Sequence, residues 1–231
     1  AKVLDLTGRE FSFTGQLAVT LMDDMSILLT ETTRSKTLAT MRSSGGGHDD
    51  LVNTCGISTA GDFVISGSSD HTLKRWECMT GYSTHTYVGH EGAVRGLDVH
   101  VNDKVFLSAS SDKTVRLWDV DKTAARSVFV GHQAAVNDVA CSHLPSAPLL
   151  LSCSNDESIR AWDLRSGKCL RVMEGHDMSV VAVAFSPNTT LAMSISEDWK
   201  LFTWDLRTGE VVRSLAGQVS WLKHVRLSPK V

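Results

Sequence analysis

The chain has 231 residues, of which 42% are hydrophobic and 21% charged, and its formal net charge is −3 at pH 7. This composition is typical of a globular protein and excludes a disordered or fibrous chain. The net negative charge argues against a general nucleic-acid coat. The longest apolar runs, such as 180–185, are far shorter than the roughly 20 residues of a membrane-spanning helix, so we expect no membrane partner. Five cysteines without a C-x-x-C spacing favour a reducing, cytoplasmic location over a disulfide framework or a zinc ribbon.

Residues 1–46 are interpreted as a degenerate first unit of a repeat. In this unit Ser35 replaces an Asp and Met41 replaces a Trp that recur further along the chain. Only 7 residues separate Met41 from His48, whereas 14 separate Trp76 from His90. This short spacing predicts that the first unit lacks its outer strand.

Four regular units follow at residues 47–88, 89–130, 131–174 and 175–216, and residues 217–231 begin a sixth. Each regular unit contains a Gly-His dipeptide, then a Ser, an Asp four residues later and a Trp six residues after that Asp. Four markers in one register over four copies indicate an internal repeat. The four sets are His48, Ser66, Asp70 and Trp76; His90, Ser108, Asp112 and Trp118; His132, Ser152, Asp156 and Trp162; and His176, Ser194, Asp198 and Trp204.

Each regular unit predicts four short strands. In residues 89–130 the expected strands are 94–99, 105–110, 114–118 and 127–130, which are apolar or β-branched runs broken by Asn, Asp, Ser and Gly. No window has a persuasive helical period. Four strands in a unit of about 42 residues predict an all-β fold made of propeller blades.

Over residues 47–217 the Gly-His, Asp and Trp-Asp markers resemble the WD-repeat family. The resemblance implies a β-propeller, usually of seven blades, that binds other proteins and has no small-molecule substrate. Seven blades would need roughly 294 residues. We therefore expect an incomplete record of a seven-bladed protein, with about five blades represented and a loop near 43–46 also missing. The alternative is that strands from a partner close the ring.

A recurring Ser, His and Asp could form a nucleophile triad, with His48, Ser66 and Asp70 as the first candidate set. The alternative is a hydrogen-bond network inside each blade, completed by the Trp indole, that fixes the strand register. An active site needs one set, whereas this chain has four, so we expect a structural network and no enzyme. Cys141 and His143 alone do not indicate a metal site, and no cofactor is expected.

Residues that follow each Gly-His and precede each turn Asp are mostly acidic or neutral. They are expected on one face, which could dock a basic partner or a peptide. The alternative is that acidic loop tips only keep the surface solvated. The candidate protein-binding residues are Asp49, Asp50, Glu91, Gln133 and Asp177.

Cations recur in the turn before the third strand and along that strand. Such a row can track a phosphate backbone, although alternation on a solvated strand explains most of these cations. The exception is the 34–37 element, Arg-Ser-Lys-Thr, whose cations remain where the structural markers are lost. The candidate RNA-binding residues are Arg34, Lys36, Lys113 and Arg116.

The order of irregularities resembles the receptor-for-activated-C-kinase family, a scaffold of the eukaryotic small ribosomal subunit. The 34–37 element matches, save for Ser35, an Arg-Asp-Lys-Thr element that contacts ribosomal RNA in that family, and residues 142–148 match a short insertion. This resemblance implies a ribosome-associated platform that docks kinases and other proteins, with ribosomal proteins and ribosomal RNA as partners. The alternative is an interaction subunit of a chromatin-modifying or cytoskeletal complex that binds a peptide on the acidic face.

Overall fold

A computed structural model describes residues 9–11, 17–22, 24–31, 36–41, 46–142, 144 and 148–216. All regular elements in these ranges are β-strands, and no helix among the described residues is long and apolar enough to cross a membrane. The strands are β1 (Arg9–Phe11), β2 (Leu17–Leu21), β3 (Ile27–Glu31), β4 (Lys36–Met41), β5 (Val52–Ile57), β6 (Phe63–Ser68), β7 (Leu73–Glu77), β8 (Ser83–Tyr87), β9 (Val94–Val99), β10 (Val105–Ser110), β11 (Thr114–Asp119), β12 (Ala125–Val130), β13 (Val136–Cys141), β14 (Leu149–Ser154), β15 (Ile159–Asp163), β16 (Cys169–Met173), β17 (Val180–Phe185), β18 (Leu191–Ser196), β19 (Lys200–Asp205) and β20 (Val211–Ala216).

The strands form five antiparallel sheets of four consecutive strands each, numbered here sheet 1 (β1–β4) to sheet 5 (β17–β20). The first strands of neighbouring sheets pack side by side, β5 on β9, β9 on β13 and β13 on β17. The first strand of each sheet is therefore the innermost and the fourth strand the outermost. This radial stacking is that of a β-propeller, which confirms the all-β prediction.

Burial follows the position of each strand in its sheet. The second strands β6, β10 and β14 are almost completely buried, because sheets cover them on both sides. Their sequences are accordingly continuous apolar and small runs without polar alternation. The outermost strand β20, in contrast, is exposed along its whole length.

Apolar cores fill the spaces between neighbouring sheets. Between sheets 2 and 3 the core contains Tyr87 from an outermost strand together with Phe106 and Trp118. Tyr87 meets the rings of Phe106 and Trp118 edge to face, at centroid distances of 4.9 and 5.8 Å. Such pairs stabilise a core beyond the area that they bury.

The loop before each first strand lies beside the turn between the second and third strands. Backbone hydrogen bonds join them, from Ser111 N to Ala93 O at 2.9 Å in sheet 3 and from Asn155 N to Ala135 O at 2.9 Å in sheet 4. We call this side of the stacked sheets the turn-Asp end. The turns between the first and second strands and between the third and fourth strands form the opposite end.

Sheet 1 departs from the prediction. The expected loss of its outer strand was wrong, because Lys36–Met41 pairs with Ile27–Glu31 as the fourth strand of the sheet. Met41 is completely buried, at the place that Tyr87 and Phe129 occupy in later outermost strands, so it does not replace a Trp of the third strand. The short spacing from Met41 to His48 misled because Met41 lies on a fourth strand, whereas Trp76, with which it was compared, lies on a third strand. Residues 217–231, predicted to begin a sixth blade, lie outside the described residues.

Candidate functional site

The four His, Ser, Asp and Trp sets adopt one geometry. In each set the His Nδ1 lies 2.7 to 2.8 Å from an Asp oxygen, and the His Nε2 lies 2.7 to 2.8 Å from the Ser hydroxyl. The Trp Nε1 donates to the same hydroxyl at 2.7 to 2.9 Å. If Nδ1–H donates to the Asp, Nε2 accepts from the Ser O–H, and every polar hydrogen of the set has a partner.

The network ties the loop before the first strand to the second and third strands of the same sheet. All four serines are 0% exposed, and the hydroxyl oxygen of each also accepts the indole N–H of its set. The His–Ser–Asp geometry is that of a catalytic triad, but no substrate can reach the serine. The role of each set is therefore structural, because its hydrogen bonds join the loop to two strands of the same sheet.

Burial lowers the pKa of His48, His90 and His176 below the ordinary value, against the opposing effect of the bonded Asp. Burial acts to raise the pKa of Asp112, but hydrogen bonds from His90 and Thr114 outweigh it and lower this pKa. The pKa of Asp70 is lowered in the same way, where bonds from Thr72 and His48 outweigh burial. These pairs consist of a neutral imidazole and an ionised carboxylate near pH 7.

The turn Asp also holds the loop residues that the sequence singled out. Its Oδ2 accepts the backbone N–H of the residue after the His, Asp49 at 3.0 Å, Glu91 at 3.1 Å, Gln133 at 2.8 Å and Asp177 at 3.0 Å. The side chains of these four residues and of Asp50 are exposed. The structure thus brings all five candidate protein-binding residues to the turn-Asp end, on backbones of fixed conformation.

The three candidate RNA-binding cations that the structure describes are not gathered on one surface. Arg34 lies outside the described residues. Lys36 begins the outermost strand of sheet 1 opposite Glu31, at the opposite end from the turn Asp residues, so its predicted place in the turn before the third strand was wrong. Lys113 does lie in that turn in sheet 3, and Arg116 follows on β11, where its guanidinium lies against Gly89.

Among the described residues no group of three or more His, Cys, Asp or Glu could hold a metal ion. Cys141 contacts Asp98 instead, with Sγ 3.0 Å from Oδ2 in the buried space between sheets 3 and 4. His143, its sequence neighbour, lies outside the described residues.

Sequence reasoning missed one set of residues at the turn-Asp end. Asn53, Arg95 and Asn137 each lie five residues after the His of their unit, and their side chains hydrogen-bond across sheets. The signal was available in the repeat register. This repeat position was overlooked because its residue type differs from one unit to the next.

The family described as "WD domain, G-beta repeat" matches residues 36–77, 81–119, 125–163 and 167–205, which is well over half of the chain. Each matched segment from 36–77 onward begins in or just before an outermost strand and ends with the third strand of the next sheet.

Individual relatives match over about one repeat. The F-box/WD repeat-containing protein 7 of Drosophila melanogaster is 48% identical over 48 residues, which cover 21% of this chain and 4% of the relative. The probable E3 ubiquitin ligase complex SCF subunit sconB of Arthroderma otae is 45% identical over 49 residues, 21% of this chain and 7% of the relative. The Lissencephaly-1 homolog of Branchiostoma floridae is 44% identical over 45 residues, 20% of this chain and 11% of the relative. The chain therefore spans only a small part of these relatives.

Proposed function

The chain belongs to the WD-repeat family, a family of protein-interaction modules, and we propose that its turn-Asp end is a docking surface for a basic peptide segment of a partner protein. The single observation that carries this proposal is the repeated bond from the turn Asp to the backbone of the residue after each His. It fixes the backbone from which the exposed side chains project before a partner arrives, which reduces the entropy lost on binding.

The charge of this surface favours a basic partner. Among the described residues Asp177 makes an ion pair with Lys200, whereas Asp49, Asp50 and Glu91 make none. Unpaired surface carboxylates on fixed loops attract a cationic segment and steer its approach.

The test is binding of a synthetic lysine- and arginine-rich peptide to the chain. The variant Asp49→Asn, Glu91→Gln, Asp177→Asn should bind several-fold more weakly, and the difference should shrink at high salt. The control variant Asp121→Asn, Glu210→Gln removes exposed carboxylates at the opposite end and should bind like the unaltered chain. Equal binding by all three proteins would refute the proposal.

The matched relatives do not identify the partner. Their names mention F-box, ubiquitin ligase and lissencephaly proteins, yet each aligned segment is about one repeat long. One repeat supplies strands to the fold, whereas a partner is selected by loops of several repeats. We therefore propose only protein docking from these matches. Partner capture from lysate, with and without nuclease, would distinguish a ligase, a chromatin or a cytoskeletal complex.

A second proposal is the cytoplasmic, ribosome-associated signalling platform, with kinases and ribosomal proteins as docked partners. It is supported by the insertion at 142–148, which lengthens the third spacing to 44 residues, and by the cations of the 34–37 element. Its test is co-sedimentation with small ribosomal subunits. Arg34→Glu with Lys36→Glu should release the chain, whereas Lys113→Glu with Arg116→Glu tests a separate surface; undiminished binding by both variants would exclude RNA contact through these cations.

A further inference from the structure

A β-bulge interrupts the first strand of sheets 2 to 5 at one equivalent residue. In sheet 3 the pairing passes from Gly96 to Val94 and leaves Arg95 without a partner on β10. The same slip occurs at Asn53, Asn137 and Val181 in the other sheets. A bulge redirects the side chain of its extra residue, and bulges recur next to functional sites.

Two hydrogen bonds hold the guanidinium of Arg95. Its Nε donates to Ser111 Oγ at 2.7 Å, within sheet 3, and its Nη1 donates to Asn137 Oδ1 at 3.0 Å, on the first strand of sheet 4. The two first strands approach so closely that a side chain at Gly96 would collide with the backbone of Asp138. The glycine thereby brings Arg95 within reach of Asn137.

Arg95 differs from its two Asn equivalents in what it leaves unsatisfied. Asn53 and Asn137 donate to the carbonyl oxygens of Val94 and Val180 on the next sheet, at 2.9 and 2.8 Å. The side chain of Arg95 is bound only to neutral oxygens, and it remains exposed. No carboxylate among the described residues forms an ion pair with it, and both hydrogens of Nη2 have no acceptor there.

The charges at the turn-Asp end therefore have a radial order. The backbone N–H of Glu91 donates to Asp112, in the turn between the second and third strands, whereas Arg95 lies on the innermost strand. Carboxylates outnumber cations on the outer loops, where Lys113 is exposed and Lys200 is paired with Asp177, and Arg95 lies nearer the centre. The carboxylates of the loops would attract a uniformly basic peptide, whereas Arg95 would repel it because like charges repel.

We propose that Arg95 is a specificity-determining residue that binds a carboxylate side chain of the docked peptide. This inference rests on the proposed function and adds that the peptide has an Asp or Glu between basic flanks. An Arg fork whose orientation is already fixed forms short, charge-assisted bonds to a carboxylate at little entropic cost. A phosphate would carry about twice the negative charge past Glu91 and Asp177, so a carboxylate suits the surroundings better.

The experiment uses an immobilised peptide library with a randomised centre, in which half of the peptides have arginine and lysine flanks and half have serine and glutamine flanks. The unaltered chain should select Asp or Glu at the centre. Arg95→Gln should lose that selection and bind the glutamate peptide about tenfold or more weakly, while its binding of the glutamine peptide is unchanged. Ser111→Ala, which removes the acceptor of Nε, should give an intermediate loss, and Arg165→Gln, an exposed arginine of the opposite end, should have no effect.

The possible outcomes distinguish failure of the Arg95 assignment from failure of the docking surface on which it rests. Selection of basic flanks without any central Asp or Glu, or central selection that survives Arg95→Gln, overturns the assignment of Arg95 and leaves the docking surface intact. Tighter binding of a central phosphoserine than of glutamate overturns the choice of a carboxylate. Flank selection that persists when Asp49, Glu91 and Asp177 are neutralised, or no selection at all, overturns the docking surface itself.

Discussion

The phenol of Tyr87 donates a hydrogen bond of 2.6 Å to the backbone carbonyl of Val120, joining the outermost strand of sheet 2 to the turn after the third strand of sheet 3. The ring is completely buried between the two sheets, and burial raises the pKa of the phenol. A core contact and a polar bond thus coincide at the join between two repeats, far from the innermost strands.

Tyr87→Phe should lower the free energy of unfolding by about 1 kcal/mol, because it removes the donor to Val120 O and keeps the ring in the core. Tyr82→Phe is the matched control, since Tyr82 is 69% exposed and should change stability by less than about 0.5 kcal/mol. Urea denaturation of the three proteins measures the difference. Equal losses in both variants would mean that the Val120 bond contributes nothing.

Ser108→Ala should be more damaging than a buried Ser usually is. The hydroxyl of Ser108 bonds both His90 Nε2 and Trp118 Nε1, so its removal leaves two buried polar groups without a partner. At about 1–3 kcal/mol for each orphaned group, we expect a loss of about 2–6 kcal/mol. Ser214→Ala on the exposed strand β20 should be nearly neutral, and a loss from Ser108→Ala no larger than this control would show that the network adds no stability.

Stability should fall when the pH drops below about 6.5. Burial lowers the pKa of His48, His90 and His176 in the folded chain, so the unfolded chain, with the ordinary value of 6.5, takes up protons first as the pH falls. The stabilisation is present above 6.5 and is lost as the pH falls towards the lowered folded values. The urea midpoint should therefore be lower at about pH 5.5 than at about pH 7.5. An equal or higher midpoint at the lower pH would contradict the neutral imidazoles.

One cysteine should react with a thiol reagent in the folded chain. Cys169 is exposed, whereas Cys55, Cys78, Cys141 and Cys153 are buried. Burial also raises the pKa of Cys78 to about 12, which removes its thiolate at neutral pH. Mass spectrometry after brief alkylation should find a single adduct on Cys169 and adducts on all five cysteines in urea; rapid labelling of Cys78 in the folded chain would contradict this packing.

The repeat register predicted much of sheets 2 to 5, because the same four markers recur in each unit and mark its loop, second strand, turn and third strand. Of these markers sheet 1 has only a turn Asp, Asp24, whose Oδ1 accepts from the backbone N–H and the hydroxyl of Ser26 as Asp70 Oδ1 does from Thr72. In sheet 1 Met41 was aligned with the Trp residues, although it is a buried residue of the outermost strand. Lys36 was misplaced by the same alignment and lies at the opposite end. Strand order within a sheet depends on hydrogen bonds between strands, which a short apolar sequence does not specify on its own.

The sequence by itself determined the fold class, the repeat and the loops that carry Asp49, Glu91, Gln133 and Asp177, because these are local patterns of propensity and spacing. Only the tertiary structure decided that Arg95 is held by Ser111 and Asn137. Asn137 lies 42 residues further along the chain, and the contact depends on a bulge in β9 and on the close approach of two strands at Gly96. The packing of one sheet on the next creates such a contact, and the sequence of a single repeat does not contain it.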